Sequence, residues 1–168
     1  MKMISFKMFV LSTVAPLMLV IAQSVSSELC PIEKSIYRDG DGLGFELVFG
    51  PPPPESVVQA SAVINHPRQG RLYQFEVQQT SGYGEIRLGN LDPMFRRAER
   101  KGSNFWVTFF DKNLKSANPL FLGEEVEAPK YVVVAELGIH DYYGRRDAVT
   151  GDRSLLLPDA IWIHDRCQ

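Results

Sequence analysis

From Leu72 to Gln78 the chain alternates without a break: Tyr73, Phe75 and Val77 are apolar, and Gln74, Glu76 and Gln78 are polar. A period of two fits a strand with one buried and one wet face, because successive strand side chains point to opposite sides. The period recurs in Phe45, Leu47 and Phe49, in Val58, Ala60, Ala62 and Ile64, in Ile86 and Leu88, and in Phe105, Val107 and Phe109. Turn residues separate these runs: Asp39-Gly40-Asp41-Gly42, Asn65-His66-Pro67 with Gln69-Gly70, and Thr80 to Gly84. Tyr131 to Ile139, rich in β-branched residues, is expected to be the central strand, and Ala160 to His164 the last one. The expected fold is all-β: a single-domain antiparallel β-sandwich of Ig-like or jelly-roll-like type with one short helix. A closed β-barrel is the second arrangement the pattern allows, since alternation does not fix closure. The helix is placed between Asp92-Pro93, an N-cap followed by proline at the first turn, and Gly102. Pro31 to Gly42 reads as an opening segment, Pro51 to Pro54 as a stiff connector, and Lys112–Pro129 and Asp141–Arg153 as long loops.

The first residues place the chain outside the cytoplasm. Lys2 and Lys7 precede an apolar run from Met8 to Ala22, and small residues follow, so residues 1–27 read as a secretory signal peptide and 28–168 as one domain. The chain contains two cysteines, Cys30 and Cys167, one at each end of that domain, and in an oxidising compartment they are expected to form a disulfide. Residues 28–168 contain no Asn-x-Ser/Thr sequon, which with the short lysine-bearing start favours a bacterial periplasm. Without Lys2 and Lys7 the chain is mildly acidic, which argues against broad electrostatic binding of nucleic acid.

The chemistry-bearing motifs are sparse. Gly42-Leu43-Gly44-Phe45 resembles the carboxylate-binding loop of PDZ domains, in which backbone N–H groups hold a peptide's C-terminal carboxylate. The likeness covers about fifteen residues and ends at the proline run, so the segment is read as a turn followed by a strand. Asp39 and Asp41 have the spacing that opens a calcium loop, but Leu43 and Gly50 stand where further oxygen ligands are needed. Ile-His-Asp occurs twice, at Ile139-His140-Asp141 and Ile163-His164-Asp165, both at expected strand ends. Convergence of the two would make a metal site or an acid/base pair; otherwise both are surface residues, and no metal ligands and no catalytic residues are assigned. No nucleophile elbow, phosphate loop or zincin helix is present, and no cofactor is implied.

Arg96, Arg97, Arg100 and Lys101 concentrate charge on the expected helix, and Tyr142, Tyr143, Arg145 and Arg146 give one loop the composition of a binding surface. Placed on one side of the scaffold, they form a basic, aromatic face. The expectation is a secreted, periplasmic, non-catalytic binding or accessory module of the cell envelope, acting through loops on a β scaffold. Its expected partner is an envelope or extracellular protein or an anionic glycan, with no nucleic acid and no membrane span after signal cleavage. The alternatives are a small enzyme using His140 or His164 with a nearby carboxylate, and a structural subunit assembling by strand-edge pairing.

Overall fold

The computed structural model describes residues 29–91, 104–123, 125–145 and 155–168. The signal-peptide segment and the helix expected over 92–102 lie outside these residues, as does Arg146.

Eight strands follow one another: β1 (Ser35–Asp39), β2 (Glu46–Gly50), β3 (Ala60–His66), β4 (Gly70–Gln79), β5 (Ile86–Asn90), β6 (Asn104–Phe110), β7 (Tyr131–Val134) and β8 (Ile161–Cys167). Every pairing is antiparallel and between sequence neighbours, and β1 then pairs with β8, so the sheet closes into a barrel. This corrects the sandwich expectation in favour of its alternative. The physical reason is that a sandwich and a barrel bury the same alternate side chains; only the pairing of the first and last strands separates them. Ser35 lies opposite Cys167 in that pairing, and Cys30 and Cys167 are joined as expected, with their Cα atoms 5.7 Å apart.

The alternating residues do line the inside. Phe45, Leu47 and Phe49 of the first hairpin, Tyr73, Phe75 and Val77 of β4, and Phe105, Val107 and Phe109 of β6 are all buried, with Tyr37 and Trp162 beside them. An eight-stranded barrel has an interior just wide enough for its own side chains, and here aromatic rings fill it. Tyr37 packs edge-on against Phe49, and Tyr73 stacks on Phe75, each at 5.8 Å between centroids. With the interior filled, the surfaces left open to solvent are the barrel's ends and its outer wall.

Two further expectations are corrected. The strand expected over Tyr131–Ile139 stops at Val134, and the segment expected to be loop after it begins as a helix, α1 (Leu137–Arg145). Glu136 takes a left-handed φ of 63°, which breaks the strand and starts a new direction. Only glycine fits next: a Cβ on Gly138 would lie 2.6 Å from the Asp159 backbone nitrogen. Gly138 N–H instead donates to Asp159 Oδ1 at 2.7 Å, pinning the start of α1 to the segment that leads into β8. Similarly, Pro31–Gly42, read as an opening segment, supplies β1 and a single 3₁₀ turn over Ile32–Lys34.

The barrel has two unlike ends. At one, which we call the helix end, lie the β1–β2 and β3–β4 turns and α1. At the other, the disulfide end, lie Cys30, the end of β8 and the β2–β3, β4–β5 and β6–β7 loops.

Candidate functional site

The helix end is built around two carboxylates. Asp39, at the end of β1, is buried and accepts three backbone hydrogen bonds: Leu43 N–H to Oδ1 at 2.7 Å, and Gly44 and Phe45 N–H to Oδ2 at 2.9 and 2.8 Å. The loop that resembles a PDZ carboxylate cradle does bind a carboxylate, but it is the chain's own. Those N–H groups are thereby taken, and a peptide C-terminus finds none of them pointing outward. Gly44 adopts φ 97°, a conformation that side chains oppose, so the cradle needs glycine there. His66 props the loop from below. Its Nδ1 accepts the Arg68 N–H at 3.2 Å, which puts the ring proton on Nε2 for donation to the Leu43 carbonyl, also at 3.2 Å. Replacing Asp39 with alanine leaves three N–H groups with no acceptor inside the fold. We expect a loss of about 2–3 kcal/mol of stability, measured by urea unfolding, with asparagine recovering part of it.

The second carboxylate is Asp141 on α1, fully buried. Tyr73 O–H donates to its Oδ1 at 2.5 Å, Arg145 holds both oxygens at 2.5 and 2.7 Å, and Leu157 N–H donates to Oδ2 at 2.7 Å. Arg145 also reaches the Leu155 carbonyl and the Gln69 side chain. Burial, helped by the neighbouring Asp141 charge, pushes the Tyr73 hydroxyl far above its ordinary pKa and keeps it a donor. Burial opposes the Arg145 charge, yet its hydrogen bonds to Asp141 and the Asp141 charge outweigh that and raise its pKa. This cluster clamps α1 across the mouth of the barrel.

Of the residues expected to form a basic aromatic face, Tyr142 and Tyr143 are exposed, with their rings edge-to-face at 5.3 Å. Arg145 is turned inward, its side chain 14% accessible and engaged with Asp141. Arg96, Arg97, Arg100 and Arg146 lie outside the described residues.

The two histidines at expected strand ends do not meet. His140 sits on α1 at the helix end, its ring 5.0 Å from that of Phe105. His164 lies on β8 beside the disulfide, 3.4 Å from Cys30 Sγ. Burial first, and then the Lys130 charge, hold His164 below the usual imidazole pKa, against the pull of Glu127 and Asp165. The carboxylate after each histidine is directed elsewhere. Asp141 serves Tyr73 and Arg145, while Asp165 faces outward to Arg38 and Arg166 because neighbours on a strand alternate. Among the described residues no group of three or more His, Cys, Asp or Glu side chains is placed to hold a metal ion.

What sequence reasoning missed is a groove of about 710 Å³ outside the barrel wall at the helix end, under the glycine-rich turn. Its floor is a row of outward residues brought side by side by strand register: Ile163 opposite Arg38, Arg38 opposite Glu46, Glu46 opposite Asn65, and Asn65 opposite Arg71. Of these only Glu46 follows from the alternation; Arg38 falls in the segment read as an opening stretch and Asn65 in an expected turn, and the sequence does not show that they form one row. Glu46 is held by Arg166 at 2.9 Å, and Arg38, which lines the groove, uses Nε on Asp165 at 2.8 Å, with no carboxylate paired to its terminal nitrogens among the described residues. Arg71 is exposed, and among the described residues no carboxylate pairs with it. The usable charge in the groove is therefore positive. Comparison with known proteins places this arrangement beside none of them: no family model, no curated protein and no solved structure matches the chain.

Proposed function

We propose that the protein is a non-catalytic binding module of the cell envelope whose ligand lies in the groove at the helix end. The observation that carries this reading is the row Arg38, Glu46, Asn65 and Arg71 beneath a turn fixed by Asp39. A barrel packed solid by aromatic rings is a rigid support, and polar side chains on its strands keep their spacing when a ligand arrives. Arg38 and Arg71 stand three strand spacings apart, roughly 14 Å at ~4.8 Å per spacing. Two guanidinium groups at that distance, with an amide between them, suit an extended ligand carrying carboxylates at intervals, and an anionic glycan has that form. The closed barrel gives none of its eight strands a free edge, so strand-edge assembly has nowhere to start.

The direct test is calorimetric titration with tetragalacturonate, an oligosaccharide with one carboxylate per sugar. Binding is expected, weakening as salt is raised. Arg71→Glu is expected to reduce affinity at least tenfold while leaving stability within about 0.5 kcal/mol, as for other exposed positions. Equal binding by the variant would remove the groove as the site.

A further inference from the structure

The disulfide end holds chemistry that the groove does not use. Its two cysteines differ in reach: Cys30 is 5% exposed, whereas Cys167, at the end of β8, is open to solvent. His164 stands beside the buried sulfur, its Nε2 3.4 Å from Cys30 Sγ. A disulfide sulfur carries no hydrogen, so the hydrogen of that contact lies on Nε2 and the imidazole is the donor. A break in register accompanies this placement. The β1–β8 pairing passes from Ile36–Arg166 to Tyr37–His164 and skips Asp165, and a bulge of that kind re-aims the side chains beside it. Asp165 is turned to Arg38 and Arg166. Two other charges flank the pair. Glu127 accepts the Cys30 N–H at 3.1 Å, and Lys130 Nζ donates to the His164 carbonyl at 3.0 Å. Their effects on a negative charge at Cys30 Sγ oppose each other, so the direct Nε2–H decides how well that charge is held.

We infer that the Cys30–Cys167 bond is exchangeable in the folded protein, with Cys167 as the site where an external thiol attaches and Cys30 as the leaving and resolving sulfur. In the first step a thiolate attacks Cys167 Sγ from the solvent side. A new S–S bond joins the thiol to Cys167 as the Cys30–Cys167 bond breaks, and the electron pair leaves on Cys30 as a thiolate. His164 Nε2–H then donates to a charged sulfur, a stronger acceptor than the disulfide sulfur before it. A leaving thiolate stabilised in this way departs faster. In the return step Cys30 attacks Cys167 Sγ and expels the external thiolate, so the cycle as a whole neither gains nor loses electrons. Both cysteines are held in place without their bond. Ala128 N–H donates to the Cys30 carbonyl at 2.7 Å, Gln168 N–H donates to the Lys34 carbonyl at 2.8 Å, and Cys167 is paired with Ser35. The opened sulfurs therefore stay opposite each other on a closed barrel, and the bond re-forms there. The partner this site fits is a thiol-bearing molecule, and the site is independent of the groove at the other end.

The test uses protein recovered from cells expressing the full chain, with glutathione as the thiol. Exchange is stopped with acid after a fixed short exposure, free thiols are blocked, and mass spectrometry of the digest locates the adduct. The adduct is expected on Cys167, in excess over Cys30 by about tenfold or more, in an amount that urea below the unfolding transition does not change. His164→Phe keeps a ring against Tyr37, whose centroid lies 5.3 Å from that of the imidazole, but removes the donor. It is expected to lower the adduct by about fivefold or more, the scale of one hydrogen bond. His164→Gln, which returns an N–H near the Nε2 position, is expected to recover part of it. A merely structural histidine gives the opposite sign, because loosening the seam exposes the bond and raises the adduct. Adduct on Cys30 or shared equally, as much adduct in His164→Phe as in the unsubstituted protein, or adduct only once urea unfolds the barrel overturns the inference.

Discussion

Asp141→Ala will lower stability by about 3–5 kcal/mol, the scale measured when one partner of a buried ion pair is removed. The loss is large because the carboxylate serves three donors at once. Without it, the Arg145 guanidinium keeps its charge in a site where its side chain is 14% accessible, and the Tyr73 hydroxyl and Leu157 N–H lose their acceptor. Against a total of about 5–15 kcal/mol for a domain, this leaves a marginal protein. The damage should begin locally, since the cluster joins α1 to the barrel mouth. Amide exchange in α1 and around Leu157 should rise by more than exchange in β2 and β3. A double-mutant cycle separates the terms: Arg145→Met in the Asp141→Ala background should restore part of the loss, because the buried charge is then gone as well. An Asp141→Ala protein within 1 kcal/mol of the original in urea unfolding would mean the cluster is hydrated and the clamp idle. The result also bears on binding. Charge reversal at Arg145 is expected to unfold this end, so it cannot serve as a clean probe of a binding face, whereas Tyr142 and Tyr143 can.

How much of this was legible in the sequence depends on the range of the interaction. Alternation found the inward residues of five strands, because burial on one face is written at every second position in the runs between Phe45 and Phe109. It misread Tyr131–Ile139, where apolar residues continue past the strand. Val132 and Val134 face the barrel interior, but Leu137 is buried from a helix, and the chain switches between the two at the left-handed Glu136. Nothing in a run of apolar residues announces that switch, whereas Gly138 was a usable sign that some backbone comes very close. The Asp39 cradle is half visible: Gly42-Leu43-Gly44-Phe45 resembles a carboxylate-binding loop, but the segment reads as a turn followed by a strand, and nothing marks Asp39, three residues before it, as an occupant. The groove was out of reach. Arg38, Glu46, Asn65 and Arg71 become neighbours only through three successive strand registers, and each register depends on turn geometry that composition does not specify. Closure was out of reach as well: a bond between Cys30 and Cys167 brings the two ends of the domain together, but cysteines on the facing sheets of a sandwich bond too, and only the β1–β8 register separates the two arrangements.

That same bond supports the second large prediction. Replacing Cys30 and Cys167 with alanine will lower stability by about 3–5 kcal/mol in urea unfolding. The bridge spans 137 residues of sequence. A cross-link over so long a loop removes many conformations from the unfolded chain, and the chain-entropy model sets its upper contribution at about 5 kcal/mol. The prediction separates two places where the bond can act. If it works by restricting the unfolded state, the native barrel keeps its β1–β8 pairing, and amide protection in β1 and β8 falls only as far as global stability does. If instead the bond holds the seam shut, exchange at Ile36, Tyr37 and Arg38 should quicken well beyond that of β3 and β4. The structure favours the first outcome. Five register pairs from Ser35–Cys167 to Asp39–Trp162 join β1 to β8, Tyr37 is buried between Phe49 and Phe109, and its hydroxyl donates to the Pro129 carbonyl across the β6–β7 loop. A seam packed by an aromatic side chain and hydrogen-bonded along its length does not need the cross-link to stay closed, only to reform faster than a freer chain would lose it. Seam-specific exchange in the alanine variant would reverse that assignment and make the disulfide a clasp of the folded state.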